Sequence, residues 1–307
     1  MIVVFGSINL DLVFTPSHLP APGETVLCDG LAAFPGGKGA NQAVAAARAG
    51  ADVRMIGCVG QDSFAATPLD SFDAAGVDCS GIRRGALPTG CASITVAPDG
   101  ENQIVVASGA NREVLAGQLA EAPPGRGDIL LLQMEIDPDE NWKAVGIARS
   151  AGARVVLNNA PAGPVPADIL SRLDLLLVNE IEVLQVAKER GFDPMEPEAA
   201  ARALSGLFGL DLVLTLGGDG AIWVAADGIA RSPAPPVAVI DTVGAGDAFA
   251  GALAAALDRG LDRPSALAFA CAAGSLACRT HGAQASLAGI EEIARLANEL
   301  APYVTVT

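Results

Sequence analysis

Apolar strand patterns alternate with helical patterns along most of this chain, and this alternation restricts the folds that it can adopt. Six runs are typical of buried strands, and three Ala- and Leu-rich stretches between them are typical of helices. The strand runs are residues 2–6, 53–58, 129–133, 154–158, 173–178 and 212–216, and the helical stretches are residues 40–49, 141–151 and 198–207. This order predicts an α/β fold with a mostly parallel central sheet.

Two segments interrupt the alternation, at about residues 11–34 and 89–107. In the second, β-branched runs at 93–96 and 103–106 flank Asp99-Gly100, which predicts a hairpin. Together the two segments predict a small β-sheet outside the main one, placed as a lid. The Pro- and Gly-rich stretches elsewhere are short, so we expect one domain over residues 1–307 with the lid inserted into it.

Composition excludes several functions. The 307 residues carry a formal net charge of −16, which would repel nucleic acid and anionic lipid. The first residues resemble a buried strand and no signal peptide, and the longest apolar run is too short for a bilayer, so we expect a cytoplasmic protein. The six cysteines lack metal-ligand spacing, and two histidines give little material for a metal cluster or a Ser-His-Asp relay.

The run DTVGAGDAF at 241–249 places two glycines and a carboxylate where an extended segment gives way to a helix. Backbone N–H groups at a helix start are unpaired and can hold a phosphoryl group. Asp247 beside them suits a group that takes a proton from a hydroxyl attacking phosphorus, which indicates phosphoryl transfer to an alcohol. The alternative is a glycine-rich turn in which Asp247 only interacts with the helix dipole.

Two further segments carry candidate binding groups. GGKGANQ at 36–42 opens a helix, where Lys38 and Asn41 present donors, although it is not a Walker A loop. Asn9 and Asp11 follow the first strand two residues apart, so they share a side at the sheet edge where α/β proteins bind ligands. A sugar would use such groups; a solvated lysine and an Asx turn are the simpler alternatives.

The segments GGKGANQAVAAAR at 36–48 and DTVGAGDAF at 241–249 together resemble the two signature segments of the ribokinase family of PfkB-type carbohydrate kinases. The resemblance runs from residue 2 to about residue 284 and includes PGET at 22–25, SGAN at 108–111 and NNAPA at 158–162. It implies a three-layer α/β/α sandwich with a small β-sheet lid. It also implies transfer of the γ-phosphoryl group of ATP to the primary hydroxyl of a sugar, with D-ribose as the expected acceptor.

The resemblance assigns roles to matching positions. Asp247 would be the base, and Gly244, Ala245 and Gly246 would form the anion hole. The residues that would bind the ribose hydroxyls are Asn9, Asp11, Gly37, Lys38, Asn41 and Glu135.

The same resemblance implies nucleotide and metal sites. ATP would contact Asn179, Thr215, Gly217, Gly218, Gly220, Gly246 and Cys271, and Glu182 would bind Mg²⁺ directly or through water. Cys271 stands where the family carries a polar residue near the base, which leaves the nucleotide preference open. A monovalent cation, usually potassium, would be bound by Asp241, the backbone of Val243, Ala277, Thr280 and Gly282, and the hydroxyl of Ser286.

Other functions remain open at this point. A nucleoside, fructose or 2-keto-3-deoxygluconate kinase would share these loops, and a non-catalytic sugar-binding protein could share the fold. A nicotinamide-dependent dehydrogenase would need GxGxxG, but the run from Gly244 ends in Phe249. The open edges of the lid and the family resemblance both favour a homodimer joined through the lid.

Overall fold

The computed structural model describes residues 1–193 and 196–307. Its strands are β1 (Ile2–Phe5), β2 (Asn9–Phe14), β3 (Leu31–Gly36), β4 (Val53–Val59), β5 (Asp78–Arg84), β6 (Gly90–Val96), β7 (Asn102–Ala107), β8 (Ile129–Leu132), β9 (Arg154–Asn158), β10 (Leu175–Asn179), β11 (Asp211–Thr215), β12 (Ala221–Ala225), β13 (Gly228–Ser232) and β14 (Thr305–Val306). Its α-helices are α1 (Lys38–Arg48), α2 (Ala66–Ala75), α3 (Ala116–Glu121), α4 (Pro138–Ala151), α5 (Ala167–Leu170), α6 (Glu180–Glu189), α7 (Pro197–Phe208), α8 (Ala245–Asp258), α9 (Arg263–Ala277) and α10 (Ile290–Leu300).

The described residues form a large ten-stranded sheet in the order β14-β13-β12-β11-β10-β9-β8-β1-β4-β5. The pairs from β11 to β5 are all parallel, and β12, β13 and β14 extend the sheet in antiparallel pairs. All six predicted strands lie in the parallel part, which confirms the prediction of a mostly parallel sheet. The antiparallel edge and β5 were not predicted.

A second sheet has the order β3-β2-β6-β7. Strands β2 and β6 pair in parallel, whereas β2 pairs with β3 and β6 with β7 in antiparallel fashion. The predicted hairpin is therefore β6–β7, with Gly100 at a positive φ of 90° in its turn. The small sheet predicted from the two irregular segments is confirmed, although β2 begins earlier than expected, at Asn9.

Helices cover both faces of the large sheet, because successive strand residues point to opposite sides. Ile2 and Val4 of β1 pack in a core with α1, α2, α8, α9 and α10. Val3 and Phe5 pack in a second core with α3 to α7. The result is the three-layer α/β/α arrangement that the resemblance implied.

Helices α1 and α8 approach each other closely at Gly251. A Cβ atom built there would lie 2.5 Å from Ala45 Cβ and 2.6 Å from the Gln42 carbonyl oxygen, which is closer than real contacts allow. Only glycine therefore permits this spacing. The contact lies one helical turn after Asp247, so it brings the start of α1 beside that carboxylate.

Within the described ranges, no helix combines the length and apolar character needed to span a bilayer.

Candidate active site

The carboxyl ends of β1 and β8 lie side by side, and α1 and α4 pack on opposite faces of the sheet. In α/β sheets this is where a ligand crevice forms. The Ser7 hydroxyl donates to Glu135 Oε2 at 2.6 Å, and the Lys38 N–H donates to the same oxygen at 2.9 Å. Glu135 therefore joins the end of β1 to the start of α1.

The glycines of residues 36–39 make this junction tight. Gly37 has a positive φ of 87°, and a Cβ atom there would lie 2.9 Å from the Asn9 nitrogen. At Gly39 a Cβ atom would lie 2.6 Å from the Ser7 nitrogen. Backbone of α1 thus touches the segment that leaves β1, and a side chain at either position would force the two apart.

Asn9 and Asp11 lie in β2, beside this junction. The Asn111 side chain donates to Asn9 Oδ1 at 2.7 Å and accepts from the Ile8 N–H at 2.9 Å. The Asp11 carboxyl faces Gly36, where a built Cβ atom would be 2.2 Å from it. Asn9 and Asp11 therefore border the same crevice as Glu135.

Asp247 lies in the first turn of α8 and is buried. Two donors from α1 hold its carboxylate: Asn41 Nδ2 lies 2.9 Å from Oδ2, and Gln42 Nε2 lies 2.9 Å from Oδ1. Gly244 precedes the helix with a positive φ of 79°, and a Cβ atom there would lie 2.7 Å from the Ala283 Cα. The predicted base and anion-hole segment thus form one ordered unit.

The charges of the crevice perturb one another. Burial, with the nearby charges of Glu135 and Asp247, raises the pKa of Asp11 to about 7. The charge of Asp247 is the main reason why the pKa of Lys38 is raised; Glu135 and Glu182 add to it, and burial opposes it. Lys38 therefore stays cationic among carboxylates that would otherwise repel each other.

A groove of about 480 Å³ lies along the first turns of α8, where Ala245, Gly246 and Phe249 contribute to its wall. Most of its wall is apolar, contributed by residues 234–239, Phe249 and α9. Six of the seven residues predicted to contact ATP also line it, and Asn179 does not: Thr215, Gly217, Gly218, Gly220, Gly246 and Cys271. Burial raises the pKa of the Cys271 thiol to about 12, and its Sγ donates to the Ser232 carbonyl oxygen, so this side chain is a neutral thiol.

Asn179 and Glu182 bond to each other at the start of α6. Asn179 Oδ1 accepts from the Glu182 N–H, and Glu182 Oε2 accepts from the Asn179 N–H, both at 2.8 Å. This is a capping box, in which each residue satisfies a donor of the helix end. Burial raises the pKa of Glu182, against the hydrogen bond from Asn179 and the charge of Lys38. The pair therefore has a structural role whether or not it meets a metal.

The predicted cation segment is brought together around Asp241. Its Oδ1 accepts from the Val243 N–H and its Oδ2 from the Gly282 N–H, both at 3.0 Å. The Asp241 N–H also donates to the Cys278 carbonyl oxygen at 3.3 Å, and the Ser286 hydroxyl donates to the Ala283 carbonyl oxygen at 3.1 Å. Residues 241–243, before α8, and residues 278–286, which include Thr280 and follow Ala277 at the end of α9, thus form adjoining loops.

A second cavity, of about 540 Å³, adjoins the Glu135 side of the site. Val106 of the small sheet, Asn111, Met134 and Glu135 line it. Asp247 acts electrostatically on Lys38 and Asp11, and Asp11 is close enough to Glu135, which lines this cavity, for their charges to interact. Ala245 and Gly246, in the same helical turn as Asp247, line the groove instead. The buried carboxylate therefore lies next to residues of the groove and interacts through its charge with the Glu135 side of the site.

Sequence reasoning did not identify five polar side chains of this site: Ser7, Gln42, Gln133, Asn158 and Gln284. Gln42 belongs to the GGKGANQ run and Asn158 to the NNAPA run, so their positions were visible without their roles. The other three form hydrogen bonds to residues far away in sequence, and no local pattern marks them.

The sequence matches the pfkB family carbohydrate kinases over residues 1–289. A ribokinase of Haemophilus influenzae is 37% identical over 293 residues, which cover 93% of this chain and 94% of that protein. The crystal structure of ribokinase from Thermotoga maritima is similar with a TM-score of 0.88 at 33% identity, covering 97% of this chain and 99% of that one. The structure of Arabidopsis thaliana ribokinase complexed with ribose and ATP has a TM-score of 0.86 at 28% identity, covering 96% and 98%. The family predicted from the two signature segments is thus confirmed: the chain belongs to the pfkB family of carbohydrate kinases.

Proposed function

We propose that this protein is an ATP-dependent ribokinase, which transfers the γ-phosphoryl group of ATP to the 5-hydroxyl of D-ribose and yields ribose 5-phosphate and ADP. The observation that carries the proposal is the position of Asp247, which is buried in the first turn of α8 beside the groove residues Ala245 and Gly246 and accepts hydrogen bonds from α1. The ribokinase relatives, one of them complexed with ribose and ATP, support the choice of sugar and nucleotide.

In this proposal Asp247 is the general base. As the ribose 5-oxygen forms its bond to the γ-phosphorus, Asp247 takes the hydroxyl proton and the bond from phosphorus to the bridging oxygen of ADP breaks. The N–H groups of Gly244, Ala245 and Gly246 stabilise the charge on the phosphoryl oxygens. The Ala245 N–H donates to the Thr242 carbonyl oxygen at 3.2 Å, a long hydrogen bond that a phosphoryl oxygen would replace.

Ribose would lie beside Asp247, on the side where Asp11, Lys38 and Glu135 are close to it. Asn9, Asp11, Gly37, Lys38, Asn41 and Glu135 are the proposed contacts to its hydroxyls, and the small sheet acts as a lid inserted into a single kinase domain. Glu135 already accepts from Ser7 and Lys38 through Oε2, so its Oε1 is the oxygen left for the sugar. Closure would exclude water, which otherwise competes as phosphoryl acceptor.

ATP would occupy the groove, with adenine between residues 215–220 and α9 at Cys271, and with its phosphates toward Gly246. Asn179 is the proposed contact on the side of α6. The walls near the base are apolar and Cys271 is a neutral thiol, so recognition of the base rests mainly on shape and apolar contact.

Mg²⁺ and a monovalent cation are part of the proposal. Mg²⁺ binds phosphates together with one or two carboxylates and keeps several waters, so the single buried Glu182 fits a contact through water. When bound, Mg²⁺ neutralises charge on the phosphates. The Asp241 carboxylate and the carbonyl groups of the adjoining loops are oxygen donors of the kind that K⁺ prefers, and Ser286 lies in the same loop.

We also propose a homodimer through the small sheet. Leu31, at the edge strand β3, is 63% exposed, and Val105, at the edge strand β7, is 71% exposed. Open edges with apolar side chains favour pairing with another chain. A cytoplasmic location stays a prediction from the sequence.

The first test is a panel of acceptors with ATP, namely D-ribose, 2-deoxy-D-ribose, D-fructose, 2-keto-3-deoxygluconate and adenosine. We expect kcat/KM for D-ribose to exceed the others by at least about ten-fold, because polar groups that lose a hydroxyl partner are left unsatisfied. ADP release in a coupled assay gives the rates, and ³¹P NMR identifies the phosphorylated position. Adding K⁺ should raise the rate. A different preferred acceptor would replace ribose, and no ADP with any acceptor would contradict the kinase proposal.

Asp11→Asn should weaken sugar binding selectively. We expect KM for D-ribose to rise about ten- to 100-fold, since a charge-assisted hydrogen bond is lost, with kcat little changed. The exposed Asp73 provides a matched control, and Asp73→Asn should leave both constants unchanged. An unaltered KM in Asp11→Asn would remove Asp11 from the sugar site.

Asp11→Asn also tests how stability and sugar binding depend on pH. The pKa of Asp11 is raised from 3.8 to about 7, so between these pH values the folded protein holds a proton that the unfolded chain has released. The stability that this bound proton contributes is therefore lost as the pH rises toward and through 7. At pH 8 we expect Asp11→Asn to have a higher Tm than the wild type without sugar. The wild-type kcat/KM for ribose should fall below pH 7, and Asp11→Asn should lack that dependence.

A further inference from the structure

Gln42 is a buried residue of α1 to which the mechanism above gives no role. Its Nε2 donates to Asp247 Oδ1 and to Asn158 Oδ1, each at 2.9 Å. Its Oε1 accepts from Gln133 Nε2 at 2.8 Å. Gln42 and Gln133 are both completely buried, so none of these bonds competes with bulk water.

These contacts fix the orientation of the Gln42 amide. Both of its N–H groups have acceptors and its oxygen has one donor, so three of the four hydrogen bonds that a glutamine amide can form are made. A reversed amide would place Oε1 against the Asp247 carboxylate and against Asn158 Oδ1. Gln133 reinforces the observed orientation, because its NH₂ group faces Gln42 even though its own Oε1 is left without a partner.

The other carboxylate oxygen is held in a similar way. Asn41 Nδ2 donates to Asp247 Oδ2, and Gln284 Nε2 donates to Asn41 Oδ1 at 3.0 Å. Ser71 in turn donates to Gln284 Oε1 at 2.5 Å. Each oxygen of Asp247 therefore accepts one amide N–H and keeps a second acceptor direction for the proton of a substrate.

We propose that Gln42 is a positioning residue for phosphoryl transfer: through its bonds to Gln133 and Asn158 it fixes the plane of the Asp247 carboxylate toward the acceptor hydroxyl. The proposal rests on the proposed function, in which Asp247 is the base. Gln42 acts through Asp247 and touches neither substrate. A base that can rotate spends part of its time misaligned with the hydroxyl, and small displacements of reacting groups reduce rates strongly.

Gln42→Met tests this role because methionine keeps the length of the side chain and removes its hydrogen bonds. We expect kcat with D-ribose to fall about ten- to 100-fold, while KM for ribose and for ATP stays within about three-fold. If the Gln42 amide only stabilised the packing of α1, Gln42→Met would have a lower Tm but would keep the wild-type kcat and KM.

The decisive comparison uses Asp247→Ala as the background. If Gln42 acts through the carboxylate, adding Gln42→Met to Asp247→Ala should reduce kcat by less than about two-fold. Additive losses would overturn the proposal, as would an unchanged kcat in folded Gln42→Met or a raised KM for ribose with normal kcat. The last result would place Gln42 in the sugar site itself.

Gln118→Met is the matched control. Gln118 is also buried, and its Nε2 donates to the carbonyl oxygens of Gly57 and Gly81; it lies in α3, which packs on the opposite face of the large sheet from α8. It should lower Tm while kcat remains near wild type. If Gln42→Met does not fold, Gln133→Met replaces it, with an expected loss in kcat of about three- to ten-fold, because Gln42 then loses one of its anchors; wild-type kcat in Gln133→Met would overturn the proposal.

Activity of the wild type separates the two claims. Wild-type protein that phosphorylates none of the acceptors contradicts the proposed function. Active wild type with an unaffected Gln42→Met contradicts only the role of Gln42.

Discussion

Replacing Asp247 with asparagine is expected to lower kcat by about 10²- to 10⁴-fold, with KM for the sugar within about three-fold. Asparagine keeps the shape of the side chain but has little capacity to take the hydroxyl proton. Both carboxylate oxygens accept amide N–H groups, so the new NH₂ group would face one of these donors. We therefore also expect a loss in stability of about 1 kcal/mol.

Steady-state and single-turnover rates with ribose and ATP measure this effect, the second because product release can limit kcat. Asp247→Ala should show a similar loss, since both variants lack the base. Asp174→Asn is a suitable control. Asp174 also accepts hydrogen bonds, from Arg149 and the Val155 N–H, but it precedes β10 and so lies at the amino ends of the strands, away from the candidate site at their carboxyl ends. Near wild-type rates in Asp247→Asn would refute the assignment of the base.

Gly244→Ala is expected to have the second largest effect, lowering kcat by about 10²-fold, because a displaced anion hole no longer stabilises the phosphoryl oxygens. Alanine at a φ of 79° is strained, and its Cβ would lie 2.7 Å from Ala283 Cα. Since that neighbour is backbone, the loop or the start of α8 must move. A stability loss of about 1–3 kcal/mol should accompany the loss in rate.

Gly76→Ala is a control that has the backbone strain of alanine at a positive φ but no close contact of its Cβ atom. Gly76 has a similar φ of 73°, and a Cβ atom there would meet nothing within 4 Å. It should lose only the stability that the backbone conformation costs, with unchanged kcat. Thermal unfolding and kinetics of both variants provide the comparison. If Gly244→Ala were as active as Gly76→Ala, the close contact with Ala283 would have no part in catalysis.

The fold was predictable where burial leaves a strong pattern. The six apolar runs correspond to β1, β4 and β8 to β11, which are central strands covered on both faces. Strand β5 was missed because it lies at the edge and reads DCSGIRR, without an apolar run. Strand β14 is only two residues long and exists because it pairs with β13, a contact that the local sequence does not encode.

The site was predictable where glycine or charge marks a position. Asp247 and Asp11 were predicted because a carboxylate begins a helix or follows a strand in a recognisable run, and Glu135 was predicted from the family resemblance. The structure places the charges of all three close together, and their roles stay predictions. The hydrogen bonds among Gln42, Gln133 and Gln284 were not, because they join residues that only the folded chain brings together. The resemblance assigned Asn179 to ATP and Glu182 to Mg²⁺; the structure shows that the two residues form a capping box, and the ATP and Mg²⁺ roles stay predictions.

The missing side chain at Gly251 has a consequence for redesign of the acceptor pocket. Because α1 rests directly on the α8 backbone there, the contact between the two helices sets the depth of the Asp247 carboxylate. Strands β2, β3, β6 and β7 do not take part in that contact. Under the proposed function, substitutions in the small sheet should therefore change the choice of sugar without moving Asp247 relative to the ATP groove.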